Sequence, residues 1–186
     1  MTPTRPSLGR HKILQVRSMP RVLSFVLTTF FCVCTANAND AGENLFLLHC
    51  ATCHMPAAIG LSGLAPPLLA SRGSAVAKSA ATDHGRSYLV KVLSFGLVGP
   101  ITVSGERYSG LMPNFAKLSD SELASIANHL ILTLNADVLP AGFAAYREAE
   151  FAEVRGKNLQ PLDVFKLRRK LESIIPGATA TTRSPP

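Results

Sequence analysis

The chain has 186 residues and little cysteine to spare. Of its four cysteines, Cys32 and Cys34 sit in an apolar run near the N-terminus, and only Cys50 and Cys53 follow it. No pair remains for a structural disulfide if both of the later thiols have another task. Acidic residues are absent from positions 1–38, which hold Arg5, Arg10, Lys12, Arg17 and Arg21. Most of the formal charge of +7 therefore comes from this leader, and the remainder is near neutral. Outside it, Lys166-Leu167-Arg168-Arg169-Lys170 is the one basic cluster, short and within a helical pattern, so the sequence gives no case for nucleic-acid binding. A long apolar run is also missing: Val22 to Val33 is too short to span a bilayer comfortably. Internal repeats are absent.

What is present at the N-terminus reads as an export signal over residues 1–38. A basic stretch ends at Arg21, the apolar run follows, and Ala36-Asn37-Ala38 forms an A-x-A cleavage pattern. Met19 opens a more ordinary signal and is a second possible start. No Leu-x-Gly-Cys precedes Cys32 or Cys34, which argues against a lipid anchor. The expected mature chain begins at Asn39 and is periplasmic, with no membrane span.

Cys50-Ala51-Thr52-Cys53-His54 then carries the chemistry. C-x-x-C-H is the attachment signature of a c-type haem: two thiols at this spacing reach two vinyl groups on one porphyrin edge, and the next histidine is carried to the iron. A zinc site would need two more Cys or His at short spacing, and a thioredoxin-like redox pair would need strands alternating with helices; the sequence supplies neither. A second axial ligand is sought among the later residues. Met55 follows the proximal histidine too closely to reach the other haem face. Met112, in Gly110-Leu111-Met112-Pro113-Asn114-Phe115, is the candidate, with Pro113 stiffening its loop. A core gap-filling role is the alternative for Met112. His129, read as a partly exposed helix residue, His84 in a polar linker, and His49 are weaker candidates.

The periodicities predict an all-α chain. A helix runs from Gly42 into the motif, and a Pro- and Gly-rich loop covers residues 55–74. A linker is expected over 79–86, a helix over 87–95 ended by Gly96, and a loop over 99–110 with one strand-like piece at 101–103. The clearest helix spans 118–134, with Ser119 and Glu122 as its capping box and Asn135 as its stop. Helices over 144–155 and 161–175 would form an extension at 137–175, either packed back on the domain or docked on a partner. Residues 176–186 read as a disordered tail.

Taken together, Gly42–Phe46, Cys50–His54, Gly63-Leu64-Ala65-Pro66-Pro67, Gly110–Phe115 and the helix at 118–134 resemble class I cytochrome c over about half of the chain. The resemblance implies a small helical domain at 39–136 around one covalent haem c, held by Cys50 and Cys53 and ligated by His54 and Met112. It implies that the Pro66 carbonyl accepts the second N–H of His54, and that Gly42 and Phe46 meet Leu130, Ile131 or Leu134. Tyr108 and Arg72 become candidates for propionate contacts. The implied function is single-electron transfer, not enzymatic turnover, between redox proteins: a dehydrogenase as donor, and an oxidase or another cytochrome as acceptor. Two alternatives stay open: a dedicated cytochrome subunit of an exported dehydrogenase, suggested by 137–175, and a haem sensor with an open axial position. The lysine ring found around the haem edge in some relatives is not evident here.

Overall fold

The computed structural model describes residues 38–174. The expected signal peptide and the expected disordered tail lie outside the described residues, apart from Ala38, the first residue of α1. Seven α-helices supply most of the regular structure: α1 (Ala38–His49), α2 (Ala51–His54), α3 (Val76–Ala80), α4 (Asp83–Phe95), α5 (Asp120–Asn128), α6 (Glu148–Arg155) and α7 (Pro161–Ile174). Between α4 and α5 lie four short strands where the sequence suggested one: β1 (Leu97–Val98), β2 (Ile101–Val103), β3 (Glu106–Tyr108) and β4 (Leu111–Met112). They pair as two antiparallel ribbons, β1 with β4 and β2 with β3. The β2–β3 turn takes Ser104 and Gly105 at positive φ, where glycine costs nothing sterically.

The core forms where α1 crosses α5. A Cβ on Gly42 would collide with the Ser125 carbonyl oxygen and lie 2.9 Å from His129 Cβ, so only glycine admits this approach. Phe46, one turn later, is fully buried and tilts against the His129 ring at 5.5 Å. The crossing sets Gly42 against Ser125 and His129 and Phe46 against His129, with Leu130, Ile131 and the partly buried Leu134 in the same core cluster as Phe46. His129 is 5% exposed, not a surface residue, because α1 covers it.

The capping box at α5 forms as read: Glu122 N–H donates to Ser119 Oγ, and Ser119 N–H donates to Glu122 Oε2. The helix then widens into a π-turn over His129–Thr133, with Leu134 N–H reaching back to His129 O. Asn135 does more than stop it. Its fully buried amide donates to Leu130 O and Leu68 O and accepts from Ala70 N–H, tying the helix end to the proline loop.

Residues 79–86 are not a linker. Thr82 Oγ1 accepts from Gly85 N–H and starts α4 at Asp83, which puts His84 on an exposed first turn. Residues 137–174 pack back on the domain. Phe151 and Val164 are fully buried, the first in the main core and the second beside Val92 and Leu97. Two arginines latch this extension. Arg86 on α4 donates to Glu150 and to the carbonyls of Ala144 and Ala145, and stacks over Tyr146 at 4.0 Å. Arg155 on α6 donates to Asp120 and to the carbonyls of Ala116 and Leu118. Because Arg86 takes those two carbonyls and Asn128 pairs with the Tyr146 backbone, residues 144–147 stay outside the helix and α6 begins only at Glu148.

Candidate functional site

One cavity gathers the residues singled out in the sequence: Cys50, Cys53, His54, Pro66 and Met112 all line it. About 1590 Å³ of space lies between its walls, part of it open to solvent. α1 and α2 bring the two thiols. Both are free, and Cys50 is buried, which together with Cys53 pushes its pKa up to about 12.

His54 ends α2 and is buried. Its Nδ1–H donates to the Pro66 carbonyl at 2.9 Å. A carbonyl only accepts, so the proton belongs on Nδ1 and the Nε2 lone pair is left for a metal. Burial holds the His54 pKa below its usual value, against the opposing pull of that bond. The neutral ring is the form that ligates.

The proline loop is built to hold that carbonyl. Gly60 N–H bonds back to His54 O, Leu68 N–H bonds to Ala58 O, and Leu61 bridges Ala65. Gly60 has φ +77, and a Cβ there would lie 2.7 Å from the Pro66 carbonyl carbon. Glu106 pins the outside of the loop: its carboxylate accepts from Ser62 Oγ, Gly63 N–H and Tyr108 Oη. Those bonds, Ser62 foremost, hold the Glu106 pKa below the usual carboxylate range.

Met112 is delivered by β4. Its backbone pairs with Leu97 in β1, directly after α4. Gly96, at φ +76, turns so tightly that a Cβ would lie 2.5 Å from Met112 O. Phe115 N–H then bonds to Leu93 O. The Met loop is therefore fastened on both sides, to β1 through Leu111 and Met112 and to α4 through Phe115.

Of the other sequence candidates, Tyr108 lines the cavity but gives its hydroxyl to Glu106, and Arg72 is not among the lining residues. The sequence reading passed over Tyr88, counted only as part of an apolar helix face, and Arg168, Leu171 and Glu172 in the extension; all four line the cavity. A usable signal existed for the last three. Arg168 and Glu172 form an i,i+4 pair beside the apolar positions 164 and 171.

The walls suit a flat, largely apolar macrocycle with a few polar groups at its edge: two thiols at one edge, one imidazole with a free lone pair, one thioether, and a buried Tyr88 hydroxyl beside Arg168. That donor set fits haem c. Among the described residues, no cluster of three or more His, Cys, Asp or Glu side chains could hold a bare metal ion instead.

Comparison with known proteins agrees. No family model matches the chain. Cytochrome c-552 of Thermus thermophilus is 38% identical over 122 residues, covering 66% of this chain and 90% of that relative. A same-named protein from a particular strain of that organism is also 38% identical, over 80% of its length. Cytochrome c6 of Cyanidioschyzon merolae is 28% identical over 115 residues, covering 61% of this chain and 93% of its own.

Proposed function

The chain belongs to the class I c-type cytochromes, and from that premise we propose a periplasmic one-haem electron carrier in which His54 and Met112 would hold the iron. The family fixes the coarser statement: a haem-containing protein that carries electrons. The observation that carries the finer one is that His54 Nδ1–H is bound to Pro66 O while Met112 is anchored through β1 on the same cavity.

Bound haem iron supplies one-electron gain and loss between Fe(II) and Fe(III). The chain's residues do the rest. Cys50 and Cys53 tether the macrocycle. The Pro66 carbonyl orients the imidazole and raises its basicity. Met112 contributes a thioether, which favours the reduced metal and raises the potential. Leu89, Val92, Leu93, Leu97 and Ile126 keep water from the centre. If His54 and Met112 both held the iron, the site would suit a carrier better than a sensor or an enzyme.

The extension buries Phe151, Val154, Val164 and Leu171 against its own domain, which favours a shuttle over a permanently docked subunit. Exposed Leu64 and Leu111 line the cavity and offer a small apolar contact for transient redox partners, a dehydrogenase as donor and an oxidase or another cytochrome as acceptor. Residues 1–38 are the export signal, removed to leave Asn39 first. Among the described residues, no helix is long and apolar enough to cross a membrane.

Replacing Cys50 and Cys53 together by alanine tests the covalent link. The double variant is expected to lose all colour that survives denaturation; haem still attached to the denatured variant would refute the assignment.

A further inference from the structure

The segment that delivers Met112 is joined to the loop that orients His54. Residues 97–112 leave α4, fold through the β2–β3 ribbon and return as β4 with Met112. Residues 58–73 carry the Pro66 carbonyl that accepts from His54 Nδ1–H. Side chains and backbone tie these two segments together in several places. The Glu106 carboxylate on β3 accepts from Ser62 Oγ and, at 2.8 Å, from Gly63 N–H, both on Oε1. Ser104 Oγ in the β2–β3 turn donates to Arg72 O at 2.9 Å. A Cβ on Gly110, two residues before Met112, would lie 2.7 Å from Leu64 O, so the two backbones touch there. The other Glu106 oxygen, Oε2, accepts from Tyr108 Oη at 2.8 Å, and Tyr108 is buried and lines the cofactor cavity.

We propose that Glu106 is a positioning residue for the methionine ligand: its carboxylate ties the proline loop to the Met112 segment, so that the supports of both proposed ligands are set as one unit. This rests on the assignment of His54 and Met112 above. An ionised carboxylate only accepts, and its two oxygens have room for several donors. One side chain thus collects two donors from the loop and one from its own ribbon. All three donors are neutral, so the tie is not an ion pair that salt would screen. Glu106 stands where water competes for it, so it is not asked to hold the fold. What it fixes is the spacing of two segments. A binding constellation keeps its geometry when the residues behind it hold it to within about 0.5 Å. Partners beyond the ligands supply that hold at a metal.

The consequence is a methionine that leaves the ferric iron more readily once the tie is cut. Glutamine at this position can keep the bonding pattern without the charge. Its oxygen accepts from Ser62 and Gly63, and its amide N–H donates to Tyr108 Oη, which accepts as well as donates. Alanine keeps none of the three bonds. The pair of substitutions therefore separates the geometry of the tie from its charge.

The test compares the parent, Glu106→Ala and Glu106→Gln as mature holoproteins. Added imidazole displaces methionine from the ferric iron, and the rate is followed by the loss of the methionine–iron(III) charge-transfer band. Hydrogen exchange is read in parallel at Gly63 and over residues 110–112. Glu106→Ala is expected to raise the displacement rate several-fold and to speed exchange in both segments together, with α5 at the parent rate. Glu106→Gln returns both readouts most of the way to the parent. A displacement rate in Glu106→Ala equal to the parent overturns the proposal, as does faster exchange at Gly63 with residues 110–112 unchanged. Faster exchange throughout, α5 included, makes Glu106 a general stabiliser and also overturns it. If Glu106→Ala does not mature, Ser62→Ala, which removes one donor at the surface, carries the test: a smaller rise in the displacement rate is expected, and an unchanged rate overturns the proposal. A parent without the band sinks the axial assignment, which is a separate failure; joint or separate exchange of the two segments then still decides whether Glu106 couples them.

Discussion

His129 shows how much one side chain's surroundings decide. It lies inside the α1–α5 crossing, its Nδ1 has no partner among the described residues, and burial depresses its pKa despite Glu43 nearby. The folded state therefore resists protonation, while the unfolded chain accepts a proton near the usual histidine value of about 6.5. Its stabilising contribution is full above that value and is lost as pH falls toward the depressed folded value. Denaturant midpoints should drop from about pH 7 to about pH 5, and His129→Gln should flatten that part of the drop; an unchanged slope would remove His129 from the cause. Nothing in the sequence pattern marked this residue as buried. It stands one place from Leu130 on the helix, and only the glycine of a distant helix creates the space that encloses it.

At the level of elements, the α1–α5 contact depends on Gly42. Gly42→Ala is expected to cost about 1–3 kcal/mol, because the added methyl meets a backbone carbonyl that cannot move aside; a stability within experimental error of the parent would show that the helices can separate freely. The latch at Arg86 should be similarly sensitive. Arg86→Met removes a charged donor from one carboxylate and two carbonyls, and each such bond is worth about 1.5–3 kcal/mol. Hydrogen exchange should then accelerate in α6 before α1, and uniform acceleration would mean that the latch holds nothing local.

The elements visible in the sequence are those specified by neighbours in the chain. The C-x-x-C-H turn, the Ser119–Glu122 box and the Gly96 stop each need only a few adjacent residues. The elements that were missed depend on partners far away. Asn135 reads as a stop signal, yet its amide also bonds to residues near position 70. α6 starts late because Arg86 captures the carbonyls that would have begun it. The proline loop was legible as a loop, and its link to His54 came through family resemblance, but its fastening by Glu106 was not.

For the whole molecule, the extension is the departure from a minimal domain. It covers Val92 and Leu97 and closes one side of the cavity. A chain ended at Gln160, lacking α7, should still attach haem through Cys50 and Cys53, but with a lower potential as water reaches the site, since exposure favours the more charged ferric state. A potential equal to that of the full chain would confine α7 to the surface. The segments that carry His54 and Met112, the two proposed ligands, are each fastened by backbone hydrogen bonds.

The most direct measurement is the absorption spectrum of the purified exported protein, oxidised and reduced, beside that of Met112→Ala. The expected result is a covalent haem spectrum with a methionine–iron(III) charge-transfer band, and a variant that lacks the band and has a lower reduction potential. A colourless protein, or a variant whose band and potential match the parent, would contradict the assignment of His54 and Met112 to the iron.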